Sequence, residues 1–234
     1  MIEPRLMMRH KEVSGRPRDP YEVARRRMVA EQIVPGGVRD PRVLEAMGRV
    51  RRHAFVSPGM ESQAYEDRPL PIGFGQTISQ PLMVALMTQA LCLTGTERIL
   101  ELGTGSGYQA AILAELASEV FTIERIKELS IRARTALYRL GYSNVRLRIG
   151  DGTVGWPERG PFDGIVVTAG APVVPECLYS QVSDGGRLII PVGDEDIQSL
   201  EVIQIVGGEI KRKSVTACRF VKLVGKHGWR EGDG

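Results

Sequence analysis

Short apolar runs and longer amphipathic stretches alternate along the central part of this chain. The apolar runs predict buried strands at 98–102, 120–124, 145–149, 165–168 and 187–192. Stretches with a helical period lie between some of them, at 108–117, 126–140 and 175–182. Because strands separated by helices of this length are joined by right-handed crossovers, the pattern predicts an α/β fold with a doubly wound, mainly parallel sheet covered on both faces.

The hydrophobic pattern changes beyond Gly193. Residues 200–206, 209–214 and 219–224 have the pattern of strands, and the Gly207-Gly208 turn between the first two is typical of a hairpin. We therefore predict antiparallel strands in the C-terminal part of the chain.

Two helices are predicted near the N-terminus. Asp19 with Pro20 and Asp40 with Pro41 each combine an N-cap residue with proline at the first helical position, and Glu22 adds a capping-box carboxylate to the first pair. We expect the first helix to run to about residue 33. The second carries a row of apolar residues on one face, so the two helices should form a small N-terminal cap.

An irregular stretch separates these helices from the next one. Residues 53–75 show no sustained period and contain several prolines and glycines, so we predict an ordered loop. A helix over 82–93 is expected to follow. Ser79 or Gln80 is the predicted N-cap of that helix, and spacing alone gives Ser79 no other role.

Composition fits a globular protein and says little about partners. The 234 residues include 31 basic and 28 acidic side chains, which give a net charge of +3 and a pI of about 8.8. This mixed surface permits binding to nucleic acid but does not indicate it. No apolar run approaches the ~20 residues that cross a bilayer, and the N-terminus lacks a signal-peptide pattern, so we expect a cytoplasmic protein.

Cysteine and histidine are too sparse to suggest a metal site. Cys92, Cys177 and Cys218 are odd in number and lie among apolar residues, which predicts buried, reduced thiols. The three histidines are scattered, and no pair has the spacing of metal ligands. We expect no metal.

The strongest chemical signal is the glycine turn after the first buried strand, Glu101-Leu-Gly-Thr-Gly-Ser-Gly-Tyr-Gln109. Its glycines lack a Cβ, so the turn can adopt positive φ and lie directly against a ligand. The spacing is a poor match to the G-x-G-x-x-G fingerprint of dinucleotide sites. Glu101 also places a carboxylate where it can face an ammonium or sulfonium, which favours S-adenosylmethionine over an anionic dinucleotide.

Two further acidic residues follow the next predicted strands. Glu124 ends the second strand, where a carboxylate can accept hydrogen bonds from both ribose hydroxyls. Asp151, with Gly152, follows the third, where a carboxylate can accept one from an adenine amino group. Because the carboxyl ends of parallel strands meet at one edge of the sheet, these residues and the glycine turn predict a nucleoside site.

The same residues carry a family resemblance. The glycine turn resembles the cofactor motif of the class I methyltransferases. Gly75-Gln-Thr-Ile-Ser-Gln-Pro81, preceded by Leu70-Pro71-Ile72, closely resembles the signature of the protein-L-isoaspartate O-methyltransferases, which act on isomerised aspartate and deamidated asparagine. The similarity extends over about residues 20 to 228, and it implies nothing about the basic stretch before residue 19, which is longer than in most bacterial members of the family.

The resemblance implies a function and a set of site residues. It implies transfer of a methyl group from S-adenosyl-L-methionine to the α-carboxylate of L-isoaspartyl residues, with S-adenosyl-L-homocysteine as the product. Ser79 is the implied catalytic residue. The implied cofactor-binding residues are Thr77, Ile78, Ser79, Glu101, Gly103, Thr104, Gly105, Ser106, Gly107, Gln109, Glu124, Arg125, Asp151, Gly152 and Thr168. The implied substrate-binding residues are Pro71, Ser79, Arg219 and Val221, with the 219–224 strand forming part of a peptide cleft.

A carboxylate acceptor also explains why no histidine or cysteine site is visible. A carboxylate is ionised at pH 7 and is its own nucleophile, so methyl transfer to it needs no general base. What the protein must provide is positioning and a hydroxyl or N–H for the second carboxyl oxygen.

These features predict one domain after a tail. Residues 1–18 are basic and are expected to be mobile, and residues 19–234 form the methyltransferase domain. Within it we predict N-terminal helices and an active-site loop at 19–93, a cofactor-binding core at 94–193 and substrate-cleft strands at 194–228. We expect a monomer whose partners are isoaspartyl proteins and peptides, without membrane or nucleic acid.

Other functions stay open at this point. An RNA or small-molecule methyltransferase could use the same fold, and the pI together with Arg25-Arg26-Arg27 motivates the nucleic-acid version. The chain has no Asn/Asp-Pro-Pro-Tyr base-flipping signature, although such signatures are not universal. A cofactor-binding scaffold that acts through the basic tail is the non-enzymatic alternative.

Overall fold

The computed structural model of the protein describes residues 19–232. The tail that the sequence predicts at 1–18 lies outside the described residues. The helices, in chain order, are α1 (Glu22–Met28), α2 (Pro41–Arg49), α3 (Pro81–Ala90), α4 (Tyr108–Ala114) and α5 (Lys127–Arg139). A π-helical turn, Val29–Ile33, extends α1, and short 3-10 turns lie at Arg52–Phe55, Glu61–Gln63, Gly152–Val154, Pro157–Arg159 and Glu176–Gln181.

Within residues 19–232, nine strands form two sheets. They are β1 (Leu70–Gly73), β2 (Gln76–Ile78), β3 (Arg98–Leu102), β4 (Glu119–Glu124), β5 (Val145–Ile149), β6 (Phe162–Val167), β7 (Val182–Gly193), β8 (Gln198–Val206) and β9 (Glu209–Cys218). The large sheet has the order β5-β4-β3-β6-β7-β8-β9, in which β3 to β7 are parallel and the last two strands run antiparallel. The predicted doubly wound, mainly parallel fold with antiparallel C-terminal strands is confirmed.

Apolar side chains cover both faces of the large sheet. Along β3, Ile99 belongs to the core that packs under the N-terminal helices, whereas Leu100 and Leu102 belong to the core on the opposite face. The same alternation occurs in β7, where Ile189 faces one core and Leu188 the other. Burial on both faces explains why these strands read as continuous apolar runs.

The start of α2 agrees with the prediction, whereas the start of α1 does not. Asp40 caps α2 as expected, since its side chain accepts a hydrogen bond from the Arg42 N–H at 2.9 Å. Asp19 is not the N-cap of α1. Its carboxylate accepts from the Tyr21 N–H at 3.0 Å and pairs with Arg25 at 2.6 Å, so it fixes a turn before the helix. Glu22 forms no capping box and pairs with Arg26 instead.

The loop predicted at 53–75 contains a strand that the sequence pattern did not reveal. β1 pairs with β2 in a two-stranded antiparallel hairpin, whose register places Leu70 opposite Ile78. These strands have only four and three residues, too few to establish an alternating pattern. The hairpin brings residues 76–79 close to the glycine turn.

Ser79 does not cap the helix that follows. α3 begins at Pro81, its N-cap residue is Gln80, and Gln80 makes no capping hydrogen bond through its side chain. The Ser79 hydroxyl likewise makes no hydrogen bond to any group within residues 19–232. The capping role predicted from spacing is therefore wrong, and the hydroxyl is left for another use.

Three further predictions are wrong. The helix predicted at 175–182 is the 3-10 turn Glu176–Gln181, and β7 follows it directly from Val182. Residues 219–224 are not a strand, because their β-pairing consists of isolated bridges, such as that between Gly170 and Lys222. Cys92 is exposed, so the predicted burial fails for that thiol.

The three consecutive arginines of α1 are all paired with acidic side chains. Arg25, Arg26 and Arg27 all form ion pairs, with Asp19, Glu22 and Glu31 respectively. The triple-arginine sequence is therefore not a patch of unpaired positive charge.

In the part of the chain that the structure describes, none of the helices combines the length and apolar character that crossing a bilayer requires.

Candidate active site

The glycine turn between β3 and α4 has the conformation that its sequence predicts. Gly103, Gly105 and Gly107 adopt φ values of 100°, 52° and 89°. A Cβ on Gly103 would lie 2.5 Å from the Thr168 hydroxyl, and one on Gly107 would lie 3.2 Å from the Cβ of Ala133 in α5. Positive φ and close packing thus both require glycine at the first and third positions.

An open cleft, whose volume of about 760 Å³ includes the solvent at its mouth, lies above the glycine turn at the carboxyl ends of β3, β4 and β6. This is where ligands bind in open parallel sheets. Most of the predicted cofactor-binding residues line it, namely Thr77, Ile78, Ser79, Gly103, Thr104, Gly105, Ser106, Gln109, Glu124, Arg125, Gly152 and Thr168. The structure therefore brings together residues from 77 to 168 that no local pattern connects.

A second pocket, whose volume of about 560 Å³ includes the solvent at its mouth, adjoins the cleft. Its walls come from Pro69, Thr77, Ser79, Gln80, Met83, Thr168 and the segment 217–221. Four residues line both spaces, namely Thr77, Ser79, Thr168 and Val221. The Ser79 residue thus stands at the boundary between a cleft suited to a nucleoside and a separate pocket open to a second molecule.

Glu124 holds the glycine turn against the end of β4. Its Oε2 accepts a hydrogen bond from the Gly105 N–H, and its Oε1 accepts one from the Ile126 N–H, each at 2.8 Å. Each carboxylate oxygen has two lone pairs, so both oxygens keep acceptor capacity toward the cleft that the residue lines.

Glu101 is buried within β3 and does not line the cleft. It is fully buried in β3, and its Oε2 accepts a hydrogen bond from the Thr122 hydroxyl. Its Oε1 has no hydrogen-bond partner within residues 19–232. Burial, together with the nearby charge of Glu124 and against the Thr122 hydrogen bond, raises the pKa of Glu101 to about 8. The side chain is therefore mainly a neutral carboxylic acid at pH 7, unlike the cleft-facing carboxylate that the sequence suggests.

Asp151 also lies outside the cleft, although its neighbour Gly152 lines it. Its Oδ1 accepts hydrogen bonds from the Thr153 N–H at 2.8 Å and the Thr153 hydroxyl at 2.7 Å. Its Oδ2 accepts one from the Lys226 N–H at 2.8 Å. Burial opposes ionisation of this carboxyl, but these hydrogen bonds outweigh it and lower the pKa of Asp151 below its usual value.

Gln109 provides a buried acceptor in the cleft wall. Its Nε2 donates to the Thr88 hydroxyl at 2.9 Å, and its Oε1 has no hydrogen-bond partner in the described chain. A buried amide oxygen without a partner is uncommon, since leaving one unsatisfied costs about 1–3 kcal/mol. The position fits a ligand that donates a hydrogen bond there.

The remaining predicted residues lie at the margins. Arg125 lines the cleft and pairs with Glu231 at 3.2 Å. Arg219 lines the second pocket with its side chain largely exposed and 3.5 Å from Asp196. Pro71 lines neither space, although it lies opposite Thr77 in the hairpin. Gly107 faces α5 rather than the cleft.

The sequence did not predict that residues 222–224 form a wall of the cleft. Lys222, Leu223 and Val224 line the cleft beside Val221, whereas the sequence placed this segment only in a peptide cleft. Gly170 fixes it, because its N–H donates to the Val221 carbonyl and its carbonyl accepts from the Leu223 N–H, both at 2.8 Å. No local pattern could have revealed a contact between positions so far apart in the sequence.

Comparisons with known proteins show which family the chain is similar to. The family model described as protein-L-isoaspartate(D-aspartate) O-methyltransferase (PCMT) matches residues 24–228. The protein-L-isoaspartate O-methyltransferase of Geobacter metallireducens is 58% identical over 210 residues, which cover 89% of this chain and 97% of that protein. The enzyme of the same name from Syntrophus aciditrophicus is 55% identical over 214 residues, which cover 90% and 98%.

Solved structures give the same result. A protein-L-isoaspartate O-methyltransferase superposes with a TM-score of 0.79 at 29% identity, over 87% of this chain and 67% of that one. A PCMT from Plasmodium falciparum, in complex with S-adenosyl-L-homocysteine, superposes with a TM-score of 0.75 at 28% identity, over 86% and 98%. The chain therefore belongs to the protein-L-isoaspartate O-methyltransferase family.

Proposed function

We propose that this protein is a repair enzyme that transfers the methyl group of S-adenosyl-L-methionine to the α-carboxylate of L-isoaspartyl residues and leaves S-adenosyl-L-homocysteine. Family membership supports this activity. The observation that carries it is the shared wall of the two spaces, since a donor in the cleft and an acceptor in the second pocket would meet at Ser79. An RNA or small-molecule acceptor is not favoured.

The cleft fits the cofactor by the chemistry of its own groups. The unpaired Oε1 of Gln109 can accept from the ammonium of its amino-acid end, and the remaining lone pairs of Glu124 can accept from ribose hydroxyls. The glycine turn keeps side chains away from the floor of the cleft. When bound, the cofactor supplies a methyl group activated by its attachment to a positively charged sulfur.

Ser79 is the proposed catalytic residue. The acceptor carboxylate is ionised at neutral pH, so the protein has no proton to remove and its task is to hold the two reactants in line. Ser79 has a hydroxyl that is not engaged by other groups of the described chain, at the boundary of both spaces. We propose that it donates to the carboxyl oxygen that is not attacking.

The second pocket is the proposed acceptor site. In an isoaspartyl residue the main chain continues through the side-chain carboxyl, so the α-carboxylate is free, whereas an ordinary aspartyl residue has only its side-chain carboxylate. The exposed guanidinium of Arg219 and the backbone around Val221 are proposed to hold the acceptor peptide. The substrate contact predicted for Pro71 stays a prediction, because that residue lines neither space.

Several broader expectations also stay proposals. We propose a monomer that acts in the cytoplasm, a compartment in which three free cysteines are ordinary. The pairing of Arg25, Arg26 and Arg27 with acidic residues removes one reason to expect nucleic acid as a partner. The division at residues 93 and 193 remains a prediction about how the domain is organised.

Methyl transfer to three acceptors tests the function. The protein is incubated with S-adenosylmethionine carrying a labelled methyl group and an isoaspartyl peptide, the aspartyl peptide of identical sequence, or RNA. We expect label on the isoaspartyl peptide alone. Equal labelling of both peptides would contradict the acceptor assignment, and labelling of RNA alone would replace the proposed function.

A further inference from the structure

The chain turns back on itself after the cleft wall and forms what we call the C-terminal hook, residues 225–229. The Trp229 N–H donates to the Leu223 carbonyl at 2.9 Å, and the Gly225 N–H donates to the Trp229 carbonyl at 3.1 Å. Leu223 and Val224, which line the cleft, lie immediately before the hook. Whatever holds the hook therefore also holds this wall of the cleft.

Three hydrogen bonds fix the hook to the segments that follow β5 and β6. The Lys226 N–H donates to Asp151 Oδ2 at 2.8 Å, and the His227 N–H donates to the Thr153 hydroxyl at 3.0 Å. The Trp229 indole N–H donates to the Gly170 carbonyl at 3.0 Å. Asp151 contributes to two of the three, because its Oδ1 also orients the Thr153 hydroxyl at 2.7 Å.

The fit around Asp151 leaves no space for another group on that side. A Cβ added to Gly225 would lie 2.1 Å from Asp151 Oδ1. Its Oδ1 accepts two hydrogen bonds and its Oδ2 accepts one, all from protein groups, and the side chain does not line the cleft. The geometry is that of a side chain that holds backbone in place.

We propose that Asp151 is a positioning residue, which sustains cofactor binding by holding the C-terminal hook against the cleft and not by contact with adenine. This inference rests on the proposed cofactor. It assigns to Asp151 a role different from the one its position after β5 suggests. The direct contact with the cofactor at this place would then come from the backbone of Gly152 and from Leu223 and Val224.

Replacing Asp151 by asparagine separates the two roles. An asparagine oxygen can take over the two hydrogen bonds from Thr153, while its amide NH₂ must face the Lys226 N–H, so that two donors meet. Lys226→Pro removes the same hydrogen bond from the other side, because proline has no N–H. Asp163→Asn is the matched control, since Asp163 accepts from the Arg98 N–H at 2.8 Å far from the hook.

The test is a double-mutant cycle on cofactor affinity. Calorimetry would give the Kd of S-adenosylhomocysteine for the full chain, for Asp151→Asn, for a chain that ends at Gly225, and for the two changes combined. We expect each single change to raise the Kd by about tenfold or more, and the combination to bind no more weakly than the shortened chain. If the combination raises the Kd by the product of the two single increases, the proposal is overturned. That result would mean that Asp151 contacts adenine directly, because such a contact would persist without the hook.

A second readout does not depend on the cofactor. The two tryptophans are Trp156 and Trp229, so Trp156→Phe leaves the hook residue as the only one. In that background we expect Asp151→Asn and Lys226→Pro to increase acrylamide quenching of Trp229, and Asp163→Asn to leave it unchanged. Unchanged quenching in both hook variants would overturn the proposal. Failure of the full chain to methylate an isoaspartyl peptide would instead count against the proposed function.

Discussion

The buried acid Glu101 should make the stability of this protein fall as the pH rises. Its pKa is about 8 in the folded protein, against an ordinary value of 4.5 for a glutamate. Between these two values the folded state keeps a proton that the unfolded state has released. Each pH unit in that window therefore removes about 1.4 kcal/mol of unfolding free energy, a contribution that is fully present below pH 4.5 and lost as the pH rises to 8.

Glu101→Gln keeps the size of the side chain and removes the titration. Between pH 5 and 8 the wild type should lose about 4 kcal/mol relative to this variant, which is three pH units at the slope above. The change in the hydrogen bond with Thr122 costs the amide variant the same free energy at every pH. The comparison therefore rests on the slopes and not on the absolute stabilities.

Urea denaturation at pH 5, 6, 7 and 8, without cofactor, gives the two slopes. Glu158→Gln is the control, because Glu158 is exposed and takes part only in a surface ion pair with Arg148. We expect the control to follow the wild type and Glu101→Gln to diverge from both as the pH rises. Parallel curves for all three proteins would refute the conclusion that Glu101 is protonated in the folded state.

Three substitutions test the site itself. Ser79→Ala should lower kcat/KM for an isoaspartyl peptide by about 10- to 150-fold, the loss of one hydrogen bond to a charged oxygen, with thermal stability and cofactor Kd nearly unchanged; normal kinetics would remove Ser79 from catalysis. Glu124→Ala should weaken cofactor binding by about 1.5–3 kcal/mol in calorimetry, and unchanged affinity would refute the ribose contact. Arg219→Gln should raise the peptide KM about two- to fivefold while the cofactor Kd stays constant, as expected for an exposed charge; a changed cofactor Kd with a constant peptide KM would place Arg219 at the wrong site.

The sequence predicted the glycine turn well because its determinants are local. Three alternating glycines after an apolar run allow few conformations, and the structure places all three at positive φ. The parallel strands can be predicted from the sequence equally well, since burial on both faces produces continuous apolar runs. Glu124 follows from its strand in the same way, and the structure adds that it braces Gly105.

Residues whose role depends on distant partners could not be predicted in this way. Glu101 and Asp151 were expected at the cleft because each lies near a strand end, but the packing of Thr122 against one and of Lys226 against the other is invisible in the local pattern. The spacing predicts a helix cap at Ser79 because its hydroxyl shortly precedes Pro81, where the next helix begins. Only the fold shows that the hydroxyl is uncommitted and lies between two spaces.

The most direct measurement is a crystal structure of the protein with S-adenosylhomocysteine and an isoaspartyl peptide bound together. We predict that the nucleoside lies in the cleft above Gly103 and Gly105, and that the peptide α-carboxylate lies in the second pocket within hydrogen-bonding distance of the Ser79 hydroxyl, about 2.6–3.2 Å. A carboxylate bound away from Ser79, or a nucleoside bound outside the glycine-turn cleft, would contradict the assignment of the two spaces as donor and acceptor sites of one reaction.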